Sequence, residues 1–259
     1  MAEYSLETAL ADLADRKRNF NKPNQSGLTQ KPREVYLAAC EEIANRYEKL
    51  GFKYSKSRQH LTLKQKESEF IFRISFQSSH YNSIGYVALT VHAYVLSNKY
   101  QKWQAECGVK RFCEYRFSEG IISGAQIGNL QEKCVWLKWN VGDLATREKE
   151  IDNIADKIDK LAIPFFEKFN DRDRLIKEIE SMWEAYGFTE DGVAKFLMYM
   201  DSKRALEKTF SKFLTKQKFW NKYRKALAQL KESGTLKESN YWERLAHLTI
   251  ELDLELREG

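Results

Sequence analysis

Two short runs of the chain could set binding side chains side by side. In one, Arg73, Ser75 and Gln77 alternate with Phe72, Ile74 and Phe76; in the other, Thr90, His92 and Tyr94 alternate with Leu89, Val91 and Ala93. Alternate residues of a strand share one face. A third run sets Trp136 and Lys138 against Val135, Leu137 and Trp139. With the apolar set turned inward, the other face carries a guanidinium, an ammonium, an imidazole, a phenol and an indole. Such a face can stack bases while a cation holds phosphate. It can also dock a protein, because Trp, Tyr and Arg dominate interface hot spots. The bland reading is that the chain's own helices or a second copy cover it. His80 and Tyr81 lie in the polar stretch Ser78–Gly85, which suits ligand contact or merely closure of a turn.

Bond-breaking chemistry finds less support. There is no G-x-x-x-x-G-K-[ST] loop and no G-x-G-x-x-G turn, and no H-E-x-x-H or G-x-S-x-G occurs. Gly120, Gly124 and Gly128 are evenly spaced, but no Lys-Ser/Thr pair follows them. A metal-dependent nuclease needs convergent carboxylates, and residues 51–140 contain no Asp. Glu69 and Glu114 are the least implausible members of such a site. The cysteines are Cys40, Cys107, Cys113 and Cys134, none in a C-x-x-C pair. Zinc held by Cys107, Cys113, Cys134 and a His has no supporting spacing. Cys113 with His92 is the pair to check for a nucleophile, against the null of an inert buried thiol. No cofactor is expected.

Charge is unevenly distributed. The 259 residues hold 43 Lys+Arg and 37 Asp+Glu, but residues 51–140 alone hold 13 basic and 6 acidic side chains. That excess could steer an acidic partner or a phosphate backbone. A second basic run, Lys216, Lys218, Lys222, Arg224 and Lys225, lies among Phe219, Trp220 and Tyr223; a solvated helix face is the plainer reading. A hydrophobic fraction of 42% is enough for a core. No apolar run approaches the ~18 residues of a membrane span. Met1–Leu13 reads as an acidic amphipathic start and not a signal peptide. A reduced, cytoplasmic, non-membrane protein is the expectation.

The elements that must position these residues follow from the changing hydrophobic period. Helical spacing is expected over Ser5–Asn19 and, after a polar linker at residues 20–32, over Arg33–Leu50, with Gly51 as its C-terminal cap. The period then falls to two, giving strands around Phe52–Tyr54, Leu61–Leu63, Phe70–Gln77 and Val87–Leu96. Asn98–Glu106 reads as a short helix, Arg111–Phe117 as a strand, Gly120–Leu130 as a loop and Cys134–Val141 as a further strand. Asp143 or Thr146 could cap the next helix, which Pro164 ends or kinks. Only helices are expected beyond Asp171, one of them capped by Thr189.

The segment from Gly51 to Trp103 also resembles a known family. Gly51-Phe52, the Leu61-x-Leu63 strand, the run Phe72-x-Ile-x-Phe-Gln-Ser-Ser79 and Asn82 in the turn are similar to the bacterial domain family DUF4304, a domain of unknown function. The Trp136-x-Lys-Trp139 strand and Pro164-Phe165-Phe166 extend the likeness over roughly residues 33–170. The family offers no catalytic residues to carry over. Its members look like small accessory or immunity-type proteins of bacterial conflict systems, so the resemblance implies a role of that kind.

These readings combine into an α+β protein: a mostly antiparallel sheet of four to five strands with helices on one face (residues 1–170), then a helical C-terminal subdomain (171–259). The expected function is non-enzymatic docking of a partner protein, with Arg73, Gln77, His80, Tyr81, His92, Tyr94, Trp136 and Lys138 as candidate contacts. The alternative is a nucleic-acid-binding subunit using the same face.

Overall fold

A computed structural model describes residues 30–66, 68–109, 112, 120–131, 133–173, 175–176 and 189–258. The expected helix Ser5–Asn19 lies outside the described residues, as does the expected strand Arg111–Phe117 apart from the buried Phe112. The fold is α+β, and among the described residues its antiparallel sheet has six strands, against the four to five expected. The strands are β1 (Lys53–Ser55), β2 (His60–Lys64), β3 (Ile71–Ser78), β4 (Ala88–Leu96), β5 (Ile121–Gln126) and β6 (Trp139–Asn140). They run in the order β1-β2-β3-β4-β5, and β6 pairs with the start of β4, Ala88 opposite Asn140 and Leu89 opposite Trp139. The chain groups into two compact units: residues 1–95 with 124–167, and residues 96–123 with 168–259.

In the first unit the period-two pattern sets the faces. Leu61 lies opposite Ile74, and both are buried with Phe72, Phe76, Leu89, Val91 and Val95. Helix α1 (Pro32–Tyr47) covers this layer with Val35, Tyr36, Ala39, Cys40, Ile43, Ala44 and Tyr47, a stripe spaced three and four apart. Pro32 opens the helix, where a missing N–H costs nothing, and Gly51 closes its last turn at φ 87°. Two phenols fix its placement: Tyr36 donates to the Phe76 carbonyl at 2.7 Å and Tyr47 to that of Ala155 at 3.0 Å. Burial raises both phenol pKa values, so both stay protonated donors. Phe72 stacks on Phe166 with centroids 4.9 Å apart. Each such buried side chain contributes roughly 1.5–3 kcal/mol.

Phe166 reaches the sheet because the helix carrying it is bent. Helix α3 (Arg147–Lys157) passes through a π turn, Ile158–Ala162, into α4 (Ile163–Glu167). Pro164 has no N–H and its ring would crowd the carbonyl four residues back. Widening the turn relieves this, and the Ile163 N–H bonds to Ile158 O, five residues back. The expected kink at Pro164 is therefore a π turn just before it. Asp143 accepts the Ala145 N–H at 3.0 Å in the preceding loop, and Thr146 makes no side-chain cap.

Two further readings are corrected. Gly120–Leu130 contains strand β5 and a short 3-10 turn in place of the expected loop. The run expected as a strand over Cys134–Val141 pairs only at Trp139 and Asn140. Side chains replace the ladder around it: Asn140 Oδ1 accepts the N–H groups of Val87 (2.8 Å) and Gly142 (3.0 Å), and the Gln126 amide donates to Leu137 O at 2.6 Å.

The second unit is helical. It contains α2 (Asn98–Glu106), α5 (Glu190–Tyr199), α6 (Lys203–Lys216), α7 (Trp220–Ser233) and α8 (Tyr241–Glu251). Ser97 caps α2 and Thr189 caps α5, each accepting a backbone N–H at 3.1 Å. Tyr100 and Trp103 of α2 both meet the ring of Tyr199 edge-on. Buried Glu190 takes a hydrogen bond from Arg244 at 3.1 Å, tying α5 to α8. Among the described residues, no helix is long and apolar enough to cross a membrane.

Candidate functional site

Alternation delivers Arg73, Ser75 and Gln77 of β3 and Thr90, His92 and Tyr94 of β4 to the sheet face away from α1. The two strands are keyed by the Ser79 N–H on Ala88 O (3.4 Å) and the Thr90 hydroxyl on Gln77 O (3.5 Å). Counting back along this antiparallel pair sets Ser75 beside His92 and Arg73 beside Tyr94. All are half-buried except Gln77, which is exposed.

The His92 and Tyr94 rings lie parallel, centroids 6.0 Å apart and 5° between planes. Trp136 meets His92 edge-on at 5.9 Å and 74°. It arrives on a strap, residues 133–138, and not on a regular strand. The Val135 N–H bonds to Gly128 O at 3.2 Å, and the Gly128 N–H to the Gln126 side chain at 2.8 Å. Gly128 permits this contact, since a Cβ there would lie 1.9 Å from Val135 O. Gly124 plays the same part under Tyr94: a Cβ at 124 would stand 2.2 Å from Tyr94 Cδ1. Two of the three evenly spaced glycines are thus clearances on which the aromatic cluster is laid.

Electrostatics follow from burial. Desolvation lowers the His92 pKa, so the imidazole is neutral near pH 7. Its Nε2 is buried without a hydrogen-bond partner. Desolvation raises the Tyr94 pKa, and the positive charge of Arg73 opposes that rise. Trp136 is 44% exposed and its neighbour Val135 46% exposed. The strap turns Val135 to solvent.

Of the eight candidates, Arg73, His92, Tyr94 and Trp136 converge. Lys138 follows two residues later on the strap and is half-buried, and Gln77 marks the far end of β3. His80 and Tyr81 form their own exposed pair, ring centroids 3.8 Å apart. Their turn is built by side chains: Asn82 Oδ1 accepts the Ala88 N–H at 2.8 Å, its Nδ2 donates to Ser78 Oγ at 2.9 Å, and Ser79 Oγ accepts the Tyr81 N–H at 3.1 Å. Ser83 and Tyr86 exchange backbone hydrogen bonds around Ile84 and Gly85 (φ 80°), leaving Ile84 58% exposed. Ile84, Val135, Gly124 and Asn140 are the residues missed from sequence. Only the glycine spacing signalled any of them.

The cluster joins a guanidinium, an imidazole, a phenol and an indole. His92 is half-buried beside the rings of Tyr94 and Trp136. Among the described residues, no three His, Cys, Asp or Glu side chains converge as a metal site would require. Cys113 and Glu114 lie outside the described residues. Cys40 is fully buried, its thiol pushed up to about 12 mainly by burial. The basic run near residue 220 is partly used within the helical unit: Lys222 lies over the Trp242 ring at 4.4 Å and Arg224 over Trp220 at 5.5 Å.

Comparison with family models, curated proteins and solved structures finds no match to this chain. The resemblance to DUF4304 domains therefore rests on the quoted residues alone.

Proposed function

We propose that this chain is a non-enzymatic binding component that docks a partner protein through the patch around Trp136. The observation that carries this reading is the exposed indole, seated edge-on against His92 beside Tyr94, with Val135 next to it. A large aromatic held against a packed bed loses little entropy on binding, which is the profile of an interface hot spot. Arg73 adds a cation at the rim. The neutral imidazole suits an apolar contact better than an anionic one. Placement in a bacterial conflict or antiviral system follows the DUF4304 resemblance, and placement in the cytoplasm follows the cysteine usage.

The test is capture from the source cell on immobilised protein, at low and high salt and after nuclease treatment. One protein partner should persist through all three on wild type and be lost on Trp136→Ala and Tyr94→Ala, both checked for an unchanged circular dichroism spectrum. Equal retention by the folded variants overturns the reading. Recovery of nucleic acid that is lost at high salt and by Trp136→Ala would move the same face to nucleic-acid binding.

A further inference from the structure

The helical unit carries a second surface, unrelated in composition to the Trp136 patch. Helix α6 has five basic residues, Lys203, Arg204, Lys208, Lys212 and Lys216, against a single acidic one, Glu207. Four of them, Arg204, Lys208, Lys212 and Lys216, repeat every fourth residue and are all exposed. On a helix that spacing advances about 6 Å per step and drifts only slowly around the axis. The result is one row of cations about 18 Å long. The opposite side of α6 is apolar, with Leu206, Phe210 and Leu214 fully buried, so the row cannot turn away from solvent without unfolding the helix.

A wall makes this row a groove. The segment after α8 runs beside α6 and is pinned to it by backbone donors, the Glu255 N–H on Glu207 Oε1 at 2.9 Å and the Arg257 N–H on Ser211 Oγ at 3.1 Å. Leu252 and Leu254 anchor it by burial. The open groove measures about 950 Å³, and Arg257 adds a fifth cation to its lining. Two carboxylates share the lining: Glu207 accepts the Glu255 N–H, and Glu255 pairs with Arg257 at 2.8 Å, so the four cations of α6 outnumber the one remaining anion, Glu207.

We infer that this groove binds the phosphate backbone of a single nucleic-acid strand. The charge row is regular, as the charges on such a backbone are, and its step is of the same order as the spacing of successive phosphates. No Leu, Ile, Val, Met or aromatic side chain lines the groove, whose apolar surface comes from the aliphatic stems of its charged residues. A protein partner, even an acidic one, needs an apolar anchor at the centre of its interface, whereas a phosphate backbone asks only for cations and hydrogen-bond donors. Contacts of this kind position a strand without reading its bases, so binding is indifferent to sequence. The inference is independent of the protein-docking reading, because the two surfaces share no residue.

The experiment uses the full chain and a fluorescent single-stranded oligonucleotide of about 15 nucleotides. Anisotropy titrations between 50 and 200 mM salt give the salt slope. Four contacts predict a slope near −3, an affinity loss of about fifty-fold across that range. Lys208→Gln with Lys212→Gln should cut the slope to about −1.4, a loss of about seven-fold. Lys225→Gln with Lys231→Gln, exposed residues of α7 outside the groove, makes the same change in net charge and should leave the slope unaltered. No binding by wild type overturns the inference. Equal effects of the two double variants do so too, by tracing binding to net charge. Poly-glutamate binding with an equal slope, lost in the groove variant, would reassign the groove to an acidic polypeptide.

Discussion

Gly124→Ala isolates the seating of the aromatic cluster. An added Cβ would lie 2.2 Å from Tyr94 Cδ1 and 2.7 Å from the Ala93 carbonyl oxygen. The Tyr94 ring can rotate away, but the Ala93 carbonyl belongs to the backbone of β4 and cannot. Overpacking of this kind costs about 1–3 kcal/mol. The backbone at 124 is not left-handed, so without the clash alanine would stabilise by about 0.4–1 kcal/mol through the unfolded chain. The sign is therefore diagnostic. For a chain of this size, a loss near 2 kcal/mol lowers Tm by about 4–8 °C, which differential scanning calorimetry reads directly. Tyr94→Ala in the same background should recover part of the loss, while the Ala93 contact retains the rest. A Gly124→Ala protein as stable as wild type, or more stable, would refute the placement of Tyr94 over β5.

Other outcomes are expected elsewhere in the chain. Burial depresses the His92 pKa, so between about pH 6.5 and its folded-state value the unfolded chain binds the proton and the folded one does not. Stability should fall as pH drops from 7 to 5, and by less in His92→Phe; parallel Tm curves for the two proteins would contradict this. Cys134 is exposed while Cys40 is buried with its thiol pushed up to about 12. A chromogenic disulfide reagent should therefore lose one fast-reacting equivalent in Cys134→Ser and none in Cys40→Ser. Lys218 ends α6 at φ 56°, a conformation costly for any residue with a Cβ. Lys218→Gly should gain about 0.5–1 kcal/mol, seen as a higher urea midpoint; a lower midpoint would show that the strain is absent.

Hydrophobic period made the sheet's inner layer readable. Phe72, Ile74 and Phe76, then Leu89, Val91 and Val95, alternate so regularly that their burial and the outward placement of Arg73, His92 and Tyr94 followed together. The rest depended on neighbours that local pattern does not name. Gly124 in β5 looks like punctuation until Tyr94 is known to lie against it. Trp136 was expected on the face by strand alternation, but it gets there on a strap held by Gln126 and Gly128, and the same strap turns Val135 outward. The helix ends were hard to place for a related reason. Asp201, Lys218 and Asp253 take the left-handed conformation that sequence reasoning assigns to glycine, whereas Gly51, Gly108 and Gly234 carry the expected residue. The basic row of α6 was not among the basic runs noted from sequence, and its groove depends on the segment near Arg257, some forty residues beyond the helix.

The path of the chain between its two compact units constrains any attempt to dissect the protein. It leaves the first unit after residue 95, returns at 124, and leaves again after 167. A truncation after residue 170 would not release an intact sheet module. It would strand the excursion 96–123 without α5, and with it the ring of Tyr199 on which Tyr100 and Trp103 close. Two large aromatics would then face water, and the fragment should self-associate. A clean module requires replacing the middle of the excursion by a short polar link while keeping the ends of β4 and β5. The helical unit, for its part, is assembled from two distant stretches of chain, so during synthesis its α2 must wait for more than ninety further residues before Tyr199 is made.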